Sequence, residues 1–360
     1  MAERVFVHLG LPKTATTYLQ TILWASRPLL REQGVLLPGE ERRDHLWASR
    51  VVREDPNLAG APARHRTAWS RLTQELAGWP GTGLVSHEFF AAASAEQAQR
   101  MIADLAPAEV HLVVTAREPL GLFTASWQES LKNRHTTPIE EYALEVSPSP
   151  NAIWNWRTLD LRLVLQRWAP SLPASQVHVL PLDTRAPREE IWHRFGALLG
   201  LDTEAFDLSG SFPNESMGVV EAEVLRRVNA HLGDFQRAFD RGVYIRTFLA
   251  DERLVPRRGE RFWPPQERIE EQRRRGREWV DFVRAEGYDV RGDLANLLVP
   301  DELEPRREPS SVTDAEVADV AVSLVAQMLG DVRDLRTRVA DEVSPSRRGW
   351  WRWRSRSGGR

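Results

Sequence analysis

Residues 10–17 read GLPKTATT. Lys13 carries a mobile positive charge, and Thr16 and Thr17 bring hydroxyl donors to the start of a helix-like stretch. The first turn of a helix has backbone N–H groups without intrahelical partners and the positive end of the helix dipole. Such a turn, with a lysine and hydroxyls added, is an anion site suited to phosphate or sulfate. The motif is not a Walker A loop, which needs Gly-x-x-x-x-Gly-Lys-[Ser/Thr]. Here Lys13 follows Gly10 by three residues, and no second glycine precedes it. An ordinary strand–helix turn with threonine caps is the competing reading.

Such a loop needs a frame. Short apolar runs occur at 5–9, 34–38, 83–87, 110–116 and 177–182. Their near-continuous apolar character predicts strands buried on both faces, as in a parallel sheet. Helical spacing covers 18–32, with a break expected at Pro28, and also 95–105, 120–132, 219–242 and 264–287. Tryptophans 154, 156 and 168 mark a segment, 151–168, expected to pack on the sheet. The arginine run at 273–277 reads as a solvated helix face. Alternating strand and helix predicts an α/β fold, a central parallel sheet flanked by helices. Loops at the carboxyl edge of such a sheet bind ligands.

The 360 residues carry a formal net charge of −3 and no cysteine. That balance argues against a surface adapted to nucleic acid, so no nucleic-acid partner is expected. The lack of cysteine excludes disulfides and thiolate chemistry and fits a reducing cytoplasm. No apolar run approaches the roughly 20 residues of a membrane-spanning helix, so a soluble cytoplasmic protein is expected. The organisation reads as an α/β domain over 1–300, a linker rich in proline, serine and charge over 301–312, and a helix over 313–343. Thr313 is a candidate cap for that helix, and Val317, Val320, Leu324, Met328, Val332 and Leu335 form an apolar stripe. Residues 344–360 are basic and aromatic, either a disordered tail or a weak anchor to anionic lipid at a membrane surface or to a partner.

GLPKTATTYLQ resembles the 5′-phosphosulfate loop of sulfotransferases that use 3′-phosphoadenosine 5′-phosphosulfate (PAPS). That loop typically reads Pro-Lys-x-Gly-Thr-Thr. The resemblance implies a P-loop-like α/β fold and no metal, and it sets Lys13, Thr14, Ala15, Thr16 and Thr17 around the 5′-phosphosulfate. Ala15 stands where glycine is commoner, which fits only if its φ is negative or mildly strained. The family also implies a 3′-phosphate site made by an arginine at a strand end and a serine in the next helix. Arg117 closes the run at 110–116, and Ser126 follows nine residues later. Ser126 lies seven residues beyond Pro119, about two turns, and so returns to nearly the same helix face. The competing reading pairs Arg117 with a neighbouring acid and buries Ser126 as a small packing residue. The phrase at 287–297, GYDVRGDLANL, is loosely similar to endings of bacterial members.

Sulfuryl transfer to a hydroxyl requires charge stabilisation at the leaving oxygen, a role the resemblance gives to Lys13, and a base for the acceptor proton. Glu88 and His87, in GLVSHEFF at the end of the third apolar run, are the candidates, with Glu88 preferred. Their structural alternative is a helix cap at Glu88 and packing at His87. Asn214 and Ser216 form a further polar cluster that a helix cap explains. The acceptor class is left at a hydroxyl of a glycan, a lipid or another small molecule. A P-loop kinase or a non-catalytic nucleotide-binding protein are the competing functions.

Overall fold

The computed structural model of the chain describes residues 2–210 and 216–343. Asn214 and the basic aromatic tail at 344–360 lie outside the described residues. The strands are β1 (Arg4–His8), β2 (Val35–Leu36), β3 (Thr82–Ser86), β4 (Glu109–Ala116), β5 (Val177–Pro181) and β6 (Asp289–Val290). They form a six-stranded sheet in the order β2-β3-β1-β4-β5-β6, parallel at every pairing. β6, only two residues long, was not among the apolar runs; it lies just after the left-handed Gly287 in the 287–297 phrase.

Counting helices of six residues or more, α1 is Thr16–Ala25, α2 Arg27–Glu32, α3 Arg42–Val52, α4 Ala68–Ala77 and α5 Ala95–Asp104. Then come α6 (Pro119–Lys132), α7 (Leu161–Trp168), α8 (Glu190–Leu199), α9 (Val219–His231), α10 (Gln266–Glu286) and α11 (Asp314–Val343). A wider helix with i→i+5 hydrogen bonding, Arg241–Leu254, sits between α9 and α10. The pattern at 219–242 is therefore two elements, since α9 ends at His231, just before Gly233. Pro28 starts α2 rather than interrupting one helix, because its missing N–H and fixed φ suit a first turn.

Side chains alternate across the sheet and are buried on both faces. Val5 and Val7 of β1 join one core with α3 to α7, α9 and α10, while Phe6 joins the other with α1 and α8. α1 and α6 thus leave the adjacent strands β1 and β4 toward opposite faces. This is the topological switch point of the sheet, and the crevice outside its strand ends is where open α/β sheets hold ligands.

The segment read as a linker is pinned to the body. Trp263 donates its backbone N–H to the Arg307 carbonyl, and Arg307 pairs with Glu316 at 2.7 Å. Thr313 caps α11 as expected: its hydroxyl accepts from the Glu316 N–H, and the Glu316 carboxylate reaches back to the Thr313 N–H. No helix among the described residues is long and apolar enough to cross a membrane.

Candidate functional site

The chain leaving β1 keeps pairing with β4 through the Leu9 and Leu11 N–H groups, bonded to the Val113 and Thr115 carbonyls. It then turns sharply into α1. Gly10, Lys13 and Ala15 all have positive φ, at 55°, 70° and 64°. Alternation of left-handed residues with ordinary ones turns successive N–H groups inward, the geometry of an anion-binding nest. At Gly10 a Cβ would come 2.3 Å from the Thr16 hydroxyl oxygen, so only glycine fits. Thr14 is fully buried and locks the turn: its hydroxyl lies 2.6 Å from the Leu11 carbonyl and 2.9 Å from the Thr115 hydroxyl. Its side chain is therefore a clamp on β4. The buried Thr16 hydroxyl has no protein partner, while Thr17 is exposed.

Arg117 extends from the end of β4, beside the same crevice. Its guanidinium approaches Glu118 at 3.4 Å, and its buried Nε has no protein partner. Glu118 caps α6 by accepting from the Gly121 N–H at 2.8 Å. Burial pushes the Glu118 carboxyl up, against the pull of Arg117 and the helix N–H groups. Ser126 is fully buried, and its hydroxyl pairs with that of Tyr142 at 2.7 Å, so it faces the core. The face of α6 that lines the crevice carries Ala125, Gln128, Glu129 and Lys132 instead.

Two cavities meet at the loop. The first, about 500 Å³, runs from Lys13, Ala15 and Tyr18 to Arg117, Arg188 and Arg261. Beyond Arg117 it continues into a cleft walled by Trp263, Leu303 and Arg306. The second, about 650 Å³, is lined by Thr16, Thr17, Glu88, Phe89, Trp154, Arg246 and Asp251. Lys13, Ala15, Glu129 and Lys132 belong to both. The Lys13 ammonium stands 3.2 Å from Glu129, whose other oxygen pairs with Arg246. Burial alone would raise the Glu129 carboxyl, but Lys13, Arg246 and Lys132 outweigh it and hold it at about 2.

Glu88 and His87 differ in what they face. The Glu88 side chain lines the second cavity, and its buried Oε2 has no hydrogen-bond partner, standing 3.7 Å from His87 Nδ1. His87 is buried. Its Nδ1 accepts from the Phe89 N–H at 3.1 Å, so the cap of the short 3-10 helix Glu88–Ala92 is His87 and not Glu88. Burial lowers the His87 imidazole to about 4, with Glu88 opposing and His45, Arg53 and Arg42 assisting. His8, bonded to Ser86 and Thr115, is likewise buried and lowered to about 3.

The structure therefore brings together Lys13, Ala15, Thr16, Thr17, Arg117 and Glu88, and turns the Thr14, Ser126 and His87 side chains away from the cavities. Ser216 lines the first cavity. Sequence reasoning missed Glu129, Lys132, Arg246 and Arg261. Gln128, Glu129 and Lys132, spaced i+3, i+4 and i+7 from Ala125 and so on one face of the helix, were the available signal for the first two. No protein-family model matches the chain, and no curated protein is significantly similar to it.

Proposed function

We propose that the chain is a sulfotransferase that moves the sulfuryl group of PAPS to a hydroxyl of a carbohydrate, glycolipid or other small-molecule acceptor. The observation that carries this reading is the placement of Lys13, on a left-handed loop in the wall common to two cavities. A transfer enzyme must hold donor and acceptor against each other in a fixed geometry, and a cation in the wall shared by two cavities stands where they would meet.

The residues present fit the donor. The nest at 10–17 and the unpartnered Thr16 hydroxyl suit its phosphosulfate, and the planar fork of Arg117 suits a phosphate. PAPS supplies the transferable sulfuryl group and a phosphate leaving group. Lys13 places positive charge where negative charge grows on the leaving oxygen. Glu129, ionised and buried, holds the Lys13 ammonium at the junction. Glu88 opens on the acceptor side, where its carboxylate accepts the hydroxyl proton. His87 is the weaker candidate, since its Nδ1 already accepts a backbone N–H. Phe89 and Trp154 offer apolar faces to the acceptor.

The test is ligand-dependent melting followed by transfer. PAP, the desulfated product, raises the melting temperature, whereas ATP with magnesium does not. Labelled PAPS incubated with pooled glycans, lipids and metabolites then yields a labelled product, and Lys13→Ala abolishes it. Stabilisation by ATP with magnesium alone, or by neither nucleotide, overturns the reading.

A further inference from the structure

The C-terminal helix α11 departs from the body along its length. On one side Val320 and Leu324 are buried in the main core, with Val317 packed against it. About a third of a turn away runs a second apolar stripe that the body does not cover. Val325, Met328, Val332, Leu335 and Val339 are 57%, 42%, 45%, 55% and 50% exposed. From Val332 to Ala340 every residue of the helix is exposed. An unsupported helical end of this length is marginal in water, and an exposed apolar stripe along it calls for a cover.

The spacing says what the cover is. Ala318, Val325, Val332 and Val339 recur every seven residues, and Ala321, Met328 and Leu335 recur every seven residues three positions later. These are the a and d positions of three heptads, a 3.5-residue repeat that fits a second helix wound around the first. Valine fills three of the four a positions and leucine the d position at 335, and a β-branched residue at a with leucine at d favours two parallel strands. The flanking e positions Val322 and Leu329 are apolar and exposed and widen the seam, and the charged flanking pair lies further along the helix. In a parallel pair the g position of one helix meets the e position of the next heptad in the other, which sets Asp331 of one copy opposite Arg336 of the second. One Asp331 oxygen accepts from Arg253 of its own chain at 2.9 Å, leaving the other oxygen for that contact. The same contact occurs twice in a symmetric pair, as an isologous interface requires.

We propose that α11 is a dimerisation element: a second copy of this chain covers the stripe, forming a parallel, in-register two-stranded coiled coil over residues 318–339. The pairing joins the two bodies through their C-terminal helices, none of whose residues lines either cavity.

The chain has no cysteine, so single cysteines report the pairing directly. In a parallel in-register pair a d residue meets its own copy, within the reach of a disulfide, while the outward f position does not. The full-length Leu335→Cys variant, oxidised with glutathione disulfide, links to itself in high yield, and Thr337→Cys stays largely monomeric. In sedimentation the unmodified chain runs as a dimer. The Val332→Glu/Leu335→Glu double variant runs as a monomer with unchanged circular dichroism and unchanged PAP response. A monomer for the unmodified chain throughout the accessible concentration range overturns the proposal. So does a dimer that persists in the double variant, or one in which Leu335→Cys fails to cross-link. Adsorption of a monomeric chain to phosphatidylserine vesicles, lost in the double variant, would assign the stripe to a membrane surface and also overturn it.

Discussion

The two cavities that share Lys13 are built from different parts of the fold. The first is walled by the ends of adjacent strands: the loop after β1, Arg117 after β4, and residues 182–188 after β5. Its chemistry is set by backbone direction and fixed cations, and the sheet holds these in place. The second draws on side chains far apart in sequence: Glu88 and Phe89 after β3, Trp154 before α7, and Arg246 and Asp251 on the wide helix. On the proposed reading, the common donor is served by a rigid strand edge and the variable acceptor by inserted segments that change without disturbing the sheet. The comparison implies that perturbations on the two sides separate: one set moves turnover, the other moves nucleotide affinity.

The largest separation is expected at Glu88. Glu88→Gln keeps shape and hydrogen bonding but removes the proton acceptor. Turnover falls by roughly 10²–10⁴-fold, the range for loss of a general base, while the PAP-induced shift in melting temperature is retained. Normal turnover in Glu88→Gln would leave the second cavity without its base and break the division of labour.

Arg117 probes the other side. If Arg117 holds the 3′-phosphate as proposed, Arg117→Ala loses a charge-assisted contact, at a cost of about 2–5 kcal/mol in PAP affinity. The loss should be much smaller for an analogue lacking the 3′-phosphate. Calorimetric titration of both ligands reads the difference. Equal weakening would detach Arg117 from the 3′-phosphate.

These residues were legible in the sequence for a local reason. An anion loop and a strand-terminal arginine are set by a few neighbouring residues, and the apolar runs fix where the strands end. Ser126 was misplaced because its seven-residue step was counted from Pro119, which lies on the core-facing side of α6. Counted from Ala125, the polar residues 128, 129 and 132 mark the cavity face. Arg246 and Arg261 reach the site by tertiary packing, and nothing in their own neighbourhoods points to Lys13. β6, with two residues, offers no periodicity to read.

His87 sharpens the comparison through pH. Its imidazole is lowered from the ordinary 6.5 to about 4, chiefly by burial. A lowered value means the folded state binds fewer protons than the unfolded chain. The stabilisation is complete above 6.5 and is lost as pH falls through that value toward 4. His87→Gln removes this titration, so the fall in stability across the window becomes shallower by up to about 1.4 kcal/mol per pH unit. The buried His8 still titrates there, so some slope remains. Thermal melts at stepped pH check this, and turnover of the variant should change far less than that of Glu88→Gln. If His87→Gln is the inactive variant and Glu88→Gln is active, the two roles are exchanged.

The smallest effect is expected at Ala15, which lines both cavities. Its φ of 64° and ψ of 8° put a Cβ-bearing residue in the left-handed region. That conformation costs roughly 1–2 kcal/mol for a residue other than glycine. Glycine removes the strain but has more freedom to lose on folding, which returns about 0.5–1 kcal/mol of the gain. Ala15 also packs against the core beside α1, so its methyl contributes some burial. The net for Ala15→Gly is a stabilisation of less than about 1 kcal/mol, a rise of roughly 1–3 °C in melting temperature. The loop direction is unchanged, so PAP affinity and turnover should stay within about twofold, well under the tenfold that 1.4 kcal/mol would give. A lower melting temperature would mean that the methyl's packing outweighs the strain, and that Ala15 is held left-handed by the core rather than in spite of its side chain.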